Sequence, residues 1–162
     1  FQRMEHDDDN MGKCAHCRQL LFGDADRFFL QGNEEIHMVQ RIAAYRQCVV
    51  AAIASPTGPN GENRLASAAH HSIGEIYYKN FWESQDLEDL EIARQNYELA
   101  IEYNPGNHVA LTMIGQCVYW SRHHDGDQEA IASARGWWSR ALAMNPDDSI
   151  AIQNMAVTHD LM

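Results

Sequence analysis

Apolar and polar residues follow one another along most of this chain at spacings of three and four, the period of one helix face. Two such stretches run from Leu65 to Asn80 and from His108 to Ser121. Apolar or small residues fall at 69, 73, 74, 76 and 77 in the first and at 111, 114, 115 and 118 in the second. Two more run from Leu87 to Tyr103 and from Gln128 to Met144, carrying Ala93, Tyr97, Ala100 and Ile101, then Ala134, Trp138, Ala141 and Leu142. Both of these stop at Asn-Pro. The residue before proline is driven out of the α region, and proline has no amide hydrogen to extend the ladder. A last apolar stretch, Ile150 to Met162, starts another helix that has no mate. The pattern predicts an all-α chain of amphipathic helix pairs.

The pairs repeat. An offset of 41 residues places Gly74 on Gly115, Tyr78 on Tyr119, Ala93 on Ala134, Arg94 on Arg135, Ala100 on Ala141, Asn104 on Asn145 and Pro105 on Pro146. The same step carries Ala69 to Ala110 and Ala151, and Ile73 to Ile114 and Met155, so a third copy has begun at the last stretch. Periods of this size belong to stacked supersecondary units that cannot bury their apolar faces singly. The chain divides into an acidic segment (1–17), a divergent helical unit with a linker (18–63) and the repeats (64–162).

A small residue inside the first helix at Gly74 or Gly115, followed by Ala93, Tyr97, Ala100 and Pro105 or by Ala134, Trp138, Ala141 and Pro146, resembles the tetratricopeptide repeat. Ala44, Cys48, Ala51 and Pro56 give a weaker upstream match to the second helix. The period exceeds the family's 34 residues by about seven, which predicts long loops between paired helices near Asn80–Asp86 and Ser121–Asp127. The resemblance implies a right-handed helical-repeat solenoid that binds other protein subunits or peptide segments, with no catalytic residues and no cofactor.

In that family the inner surface is lined by first helices. Spacing from the small core residue then puts His71, Glu75, Tyr78 and Lys79 on it in one copy and Thr112, Gln116, Tyr119 and Trp120 in the next. Each set follows i, i+4, i+7, i+8, one face of a helix. Tyr78, Tyr119 and Trp120 are candidate anchors for a peptide; packing of the two tyrosines against a neighbouring helix is the competing expectation. The sets lack the cationic cluster with which some members clamp a terminal carboxylate. Ile152, Met155 and Val157 on the unpaired helix are expected to dock on a partner or on a second copy, continuing the stack head to tail.

Composition narrows the function further. The formal charge of −11, from 23 acids against 12 bases, repels a phosphate backbone and argues against nucleic-acid binding. The longest apolar run, Cys48 to Ala54, is far too short to span a bilayer. The chain opens on Phe1 rather than Met, which fits a removed leader or a fragment. The acids crowded at Glu5, Asp7, Asp8 and Asp9 fit a solvated tail or a docking segment for a basic partner.

Candidate chemistry is sparse. Cys14, His16 and Cys17 form a Cys-x-x-Cys motif able to hold half a metal site or a small redox pair, which supports an alternative reading as a metal-binding or redox accessory protein. No second such pair completes it. Cys48 and Cys117 fall on core-facing positions and are expected to be inert. His123-His124-Asp125-Gly126-Asp127 lacks the ligand series of a calcium loop and reads as a turn.

Overall fold

A computed structural model of the protein describes residues 37–54, 63–122 and 127–159. These form six helices: α1 (Met38–Ile53), α2 (Arg64–Ser84), α3 (Leu87–Tyr103), α4 (His108–Arg122), α5 (Gln128–Met144) and α6 (Ser149–Val157). The described residues contain no strand. Each helix packs chiefly against the one before it and the one after it in the chain.

Short polar residues start α2 to α6. Asn63 Oδ1 accepts the Ala66 amide at 2.9 Å, Asp86 accepts that of Glu88, and Asp127 and Asp148 each accept two amides of the first turn. Asn107 does the same for Ala110 at 3.1 Å. Glu88, Asp89 and Glu129 add negative charge to the positive ends of α3 and α5. The two Asn-Pro stops behave alike: Asn104 and Asn145 leave the α region, and their side-chain oxygens accept the amides of Gly106 and Asp147 in the turns that follow.

Of the long loop expected at Asn80–Asp86 only Gln85 and Asp86 lie outside helix, and α2 runs to Ser84. Nothing between Asn80 and Ser84 breaks a helix, and Phe81 at 5% exposure packs beside Leu90, so continuing the helix buries a ring. Gln85 closes α2 in the left-handed conformation (φ 59°), its amide donating to the Phe81 carbonyl at 2.7 Å. In the second copy α4 ends at Arg122, and residues 123–126 lie outside the described part.

The core is three clusters strung along the row. Ile42, Tyr45 and Cys48 of α1 meet Ala69, Ile73 and Ile76 of α2. Phe81 of α2 and Leu90, Ala93, Tyr97 and Ala100 of α3 meet Ala110, Ile114 and Cys117 of α4. Leu111 of α4 meets Ala134, Trp138 and Ala141 of α5 and Ala151 of α6. The repeated glycines let the large rings in: a Cβ on Gly74 would lie 2.8 Å from the Tyr97 ring, and one on Gly115 would lie closer than 3.0 Å to three atoms of Trp138. Among the described residues no helix is long and apolar enough to cross a membrane.

Candidate partner-binding surface

The surface read from the repeats is carried by α2 and α4, and its strongest feature is a run of rings at their C-terminal ends. Tyr78 meets Trp82 at 6.1 Å between centroids, Trp82 meets Trp120 at 4.9 Å, and Trp120 meets Tyr119 at 5.2 Å, each pair edge to face. Edge-to-face pairs set the positive rim of one ring against the negative face of the next. The Tyr78 hydroxyl donates to Gln116 Oε1 at 2.6 Å, joining α2 to α4 at the same place. Burial pushes the Tyr78 phenol up to about 12, so it remains a neutral donor at physiological pH.

Trp82 escaped the sequence reading because it fell in the stretch expected to be a loop. It is the most exposed of these rings, at 46%. Once α2 is known to continue, the signal is plain: Trp82 stands four residues after Tyr78 and eight after Gly74, on the same face. Tyr78, Tyr119 and Trp120 are half-buried. The two tyrosines therefore do pack against neighbouring helices, Tyr119 reaching Trp138 at 6.1 Å, while part of each ring stays open to solvent.

His71 lies edge-on to Tyr97, 5.3 Å between centroids, with Nε2 3.5 Å from Glu75. The hydrogen bond from His71 holds the Glu75 carboxyl below its ordinary range against the opposing effect of burial. Lys79 is exposed, 3.9 Å from Glu83 one turn on. Thr112 requires correction: at 1% exposure it lines no surface. Its hydroxyl donates to Asp148 at 2.8 Å and its carbonyl accepts the Trp138 indole N–H at 3.1 Å. A short residue on α4 that holds α5 and the start of α6 belongs to the framework of the site and not to its face.

No protein-family model and no curated protein matches this chain. The surface must be interpreted from its own geometry. A groove of about 360 Å³ lies elsewhere, between the N-terminal halves of α3 and α5, floored by Leu90, Cys117, Val118 and Ala130. Arg94 at its edge is held by Glu91 at 2.7 Å and Glu98 at 2.5 Å, so its guanidinium is already paired. Burial pushes the Cys117 thiol up to about 12, which leaves almost no thiolate and fits the inert role expected of it.

Of the residues expected to mediate self-association, Ile152 and Val157 face solvent at 48% and 59% exposure. Met155 turns inward against the Trp138 cluster, because the neighbouring turn of α6 is anchored by buried Ala151 and Thr158. Cys14, His16 and Cys17 lie outside the described residues.

Proposed function

We propose that this chain is a non-enzymatic protein-binding subunit, a tetratricopeptide-like row of helix pairs that holds a segment of another protein against α2 and α4. The observation that carries this reading is the aromatic run Tyr78–Trp82–Trp120–Tyr119, half open to solvent at the ends of two successive first helices. Large rings with little rotamer freedom, exposed at one place and backed by a buried core, are what protein interfaces use as anchors. His71, Glu75, Lys79 and Gln116 supply donors and acceptors along the same two helices, which suits an extended or helical peptide. The 41-residue step, the small-residue and ring pairing and packing between sequential neighbours support the repeat architecture.

The test is to isolate the protein from its source under native conditions with the partners it retains, then compare Trp82→Ala and Trp120→Ala with wild type. Each variant is expected to lose retained partner chains while keeping its helical circular dichroism. Unchanged retention in the double variant would remove the surface from consideration.

A further inference from the structure

The rings at the ends of α2 and α4 turn their polar edges inward. The Tyr78 hydroxyl donates to Gln116 Oε1 at 2.6 Å. Burial is the main cause of its raised pKa, and side-chain hydrogen bonding from Trp82 and Trp120 to the same oxygen opposes it. What the rings leave to an occupant is apolar surface, widest at Trp82. Among them stands one unused polar group. With Oε1 taken by Tyr78, the half-buried Gln116 keeps its Nε2 amide, which donates to no described residue. The charges that flank the rings are matched: Lys79 lies 3.9 Å from Glu83, and Arg122 lies 3.3 Å from Asp127. Glu75 lies a turn further back, beside His71.

We infer that this face takes an uncharged, proline-rich segment in the polyproline II conformation, its prolines on Trp82 and Trp120 and one backbone carbonyl on Gln116 Nε2. The inference rests on the α2–α4 surface being the partner-binding one. Classes of occupant differ in what they bring to hydrogen-bond. A helix satisfies its backbone internally and offers the Gln116 amide no carbonyl. An ordinary extended segment brings carbonyls together with N–H groups, yet the acceptor set among the rings, Gln116 Oε1, is already taken. A cationic segment meets no unmatched carboxylate beside the rings. A proline-rich segment brings carbonyls with few N–H groups, holds its extended shape unaided and packs on aromatic faces. The chain's own Pro56-Thr57-Gly58-Pro59 is not that segment within one molecule. The link that carries it leaves α1 and enters α2 at one place, where Asn63 Nδ2 donates to the Ala52 carbonyl at 2.7 Å. Fully extended, that link reaches about 17 Å out and back. The rings stand about 27 Å along α2 from its first turn.

The probe is a blocked decaproline peptide titrated into the full chain with tryptophan emission as the readout, compared with blocked Gly-Ser and Lys-Gly decamers. Decaproline is expected to bind at least about tenfold more tightly than the Gly-Ser peptide, with little change when salt is raised. Trp82→Ala should weaken it about tenfold or more. Gln116→Glu, which keeps an acceptor for Tyr78 and removes the amide donor, should do the same while helical circular dichroism is unchanged. Decaproline binding that survives either substitution overturns the inference, as does tighter binding of the Lys-Gly peptide that is lost in Trp82→Ala. Loss of native partners in Trp82→Ala, without decaproline binding to wild type, leaves the surface standing and overturns the proline assignment alone.

Discussion

Gly74 and Gly115 are small because a ring occupies the space a side chain would take, and neither has a backbone that demands glycine. Gly115→Ala must push the Trp138 indole away from its hydrogen bond to the Thr112 carbonyl, so overpacking and a lost buried bond act together. A loss of about 1–3 kcal/mol is expected in chemical denaturation. Gly74→Ala should cost less, since the Tyr97 hydroxyl has no hydrogen-bond partner among the described residues to be torn from. Asp148 makes a second prediction at this scale. Its side chain is 9% exposed, and burial raises its pKa. The Ala151 amide, the Thr112 hydroxyl and His108 outweigh that and hold the carboxyl below the ordinary value. A carboxyl depressed on folding stabilises the fold above its unfolded pKa, and that stability is lost as pH falls through the folded value, so the loss belongs below about pH 4. Asp148→Asn, which keeps the helix cap, should flatten the acid limb of a stability–pH curve there and leave stability at pH 7 little changed by comparison with Asp148→Ala.

The helices themselves were readable because period, caps and stops agreed: Asn104-Pro105 and Asn145-Pro146 end α3 and α5 where proline chemistry requires. The end of α2 was not readable in this way. Seven residues beyond the usual period were assigned to a loop, yet a run with no glycine or proline and with Phe81 to bury costs less as helix. That difference hid Trp82 and with it the centre of the candidate surface. Thr112 was misplaced for another reason. Helical spacing identifies a face, whereas the arrival of Asp148 from 36 residues away is tertiary information. The stop that α2 does use is strained. Gln85 occupies the left-handed region, with only long contacts of 3.2 Å and 3.4 Å from its side chain to the Trp82 and Phe81 carbonyls. Gln85→Gly is expected to stabilise the protein by about 0.5–1 kcal/mol, relief of backbone strain exceeding the added freedom of the unfolded chain. A lower melting temperature for this variant would show that the side-chain contacts hold the cap.

Across the molecule, the turn residues that open α4 and α6 also reach back to α2 and α4 respectively. Asn107 donates to Ser67 at 3.1 Å while capping α4, and Asp148 accepts from Thr112 at 2.8 Å while capping α6. The row is thus tied at intervals of about one repeat, and stability should vary along it with the number of ties and the burial around each helix. The interior helices α3 and α4 contribute most of the central cluster. At the far end, α6 has nine residues, one fully buried alanine and a mostly exposed opposite face. What fastens its last turn is Arg135 of α5, whose Nη1 donates to the Met155 carbonyl at 2.8 Å and to the Thr158 hydroxyl at 3.0 Å. A charged donor satisfying two acceptors at a helix end is worth more than a neutral bond, and truncation leaves the half-buried Met155 carbonyl with only the long 3.4 Å contact from the Thr158 hydroxyl. Arg135→Ala should therefore raise amide hydrogen exchange throughout α6 by about tenfold or more, while exchange in α2, α3 and α4 stays at the wild-type rate. Arg135→Lys, a single rotatable point of charge without the planar fork, should fall between the two. Equal acceleration in every helix would mean instead that the row opens as one cooperative unit, with α6 held by the core and not by its last turn.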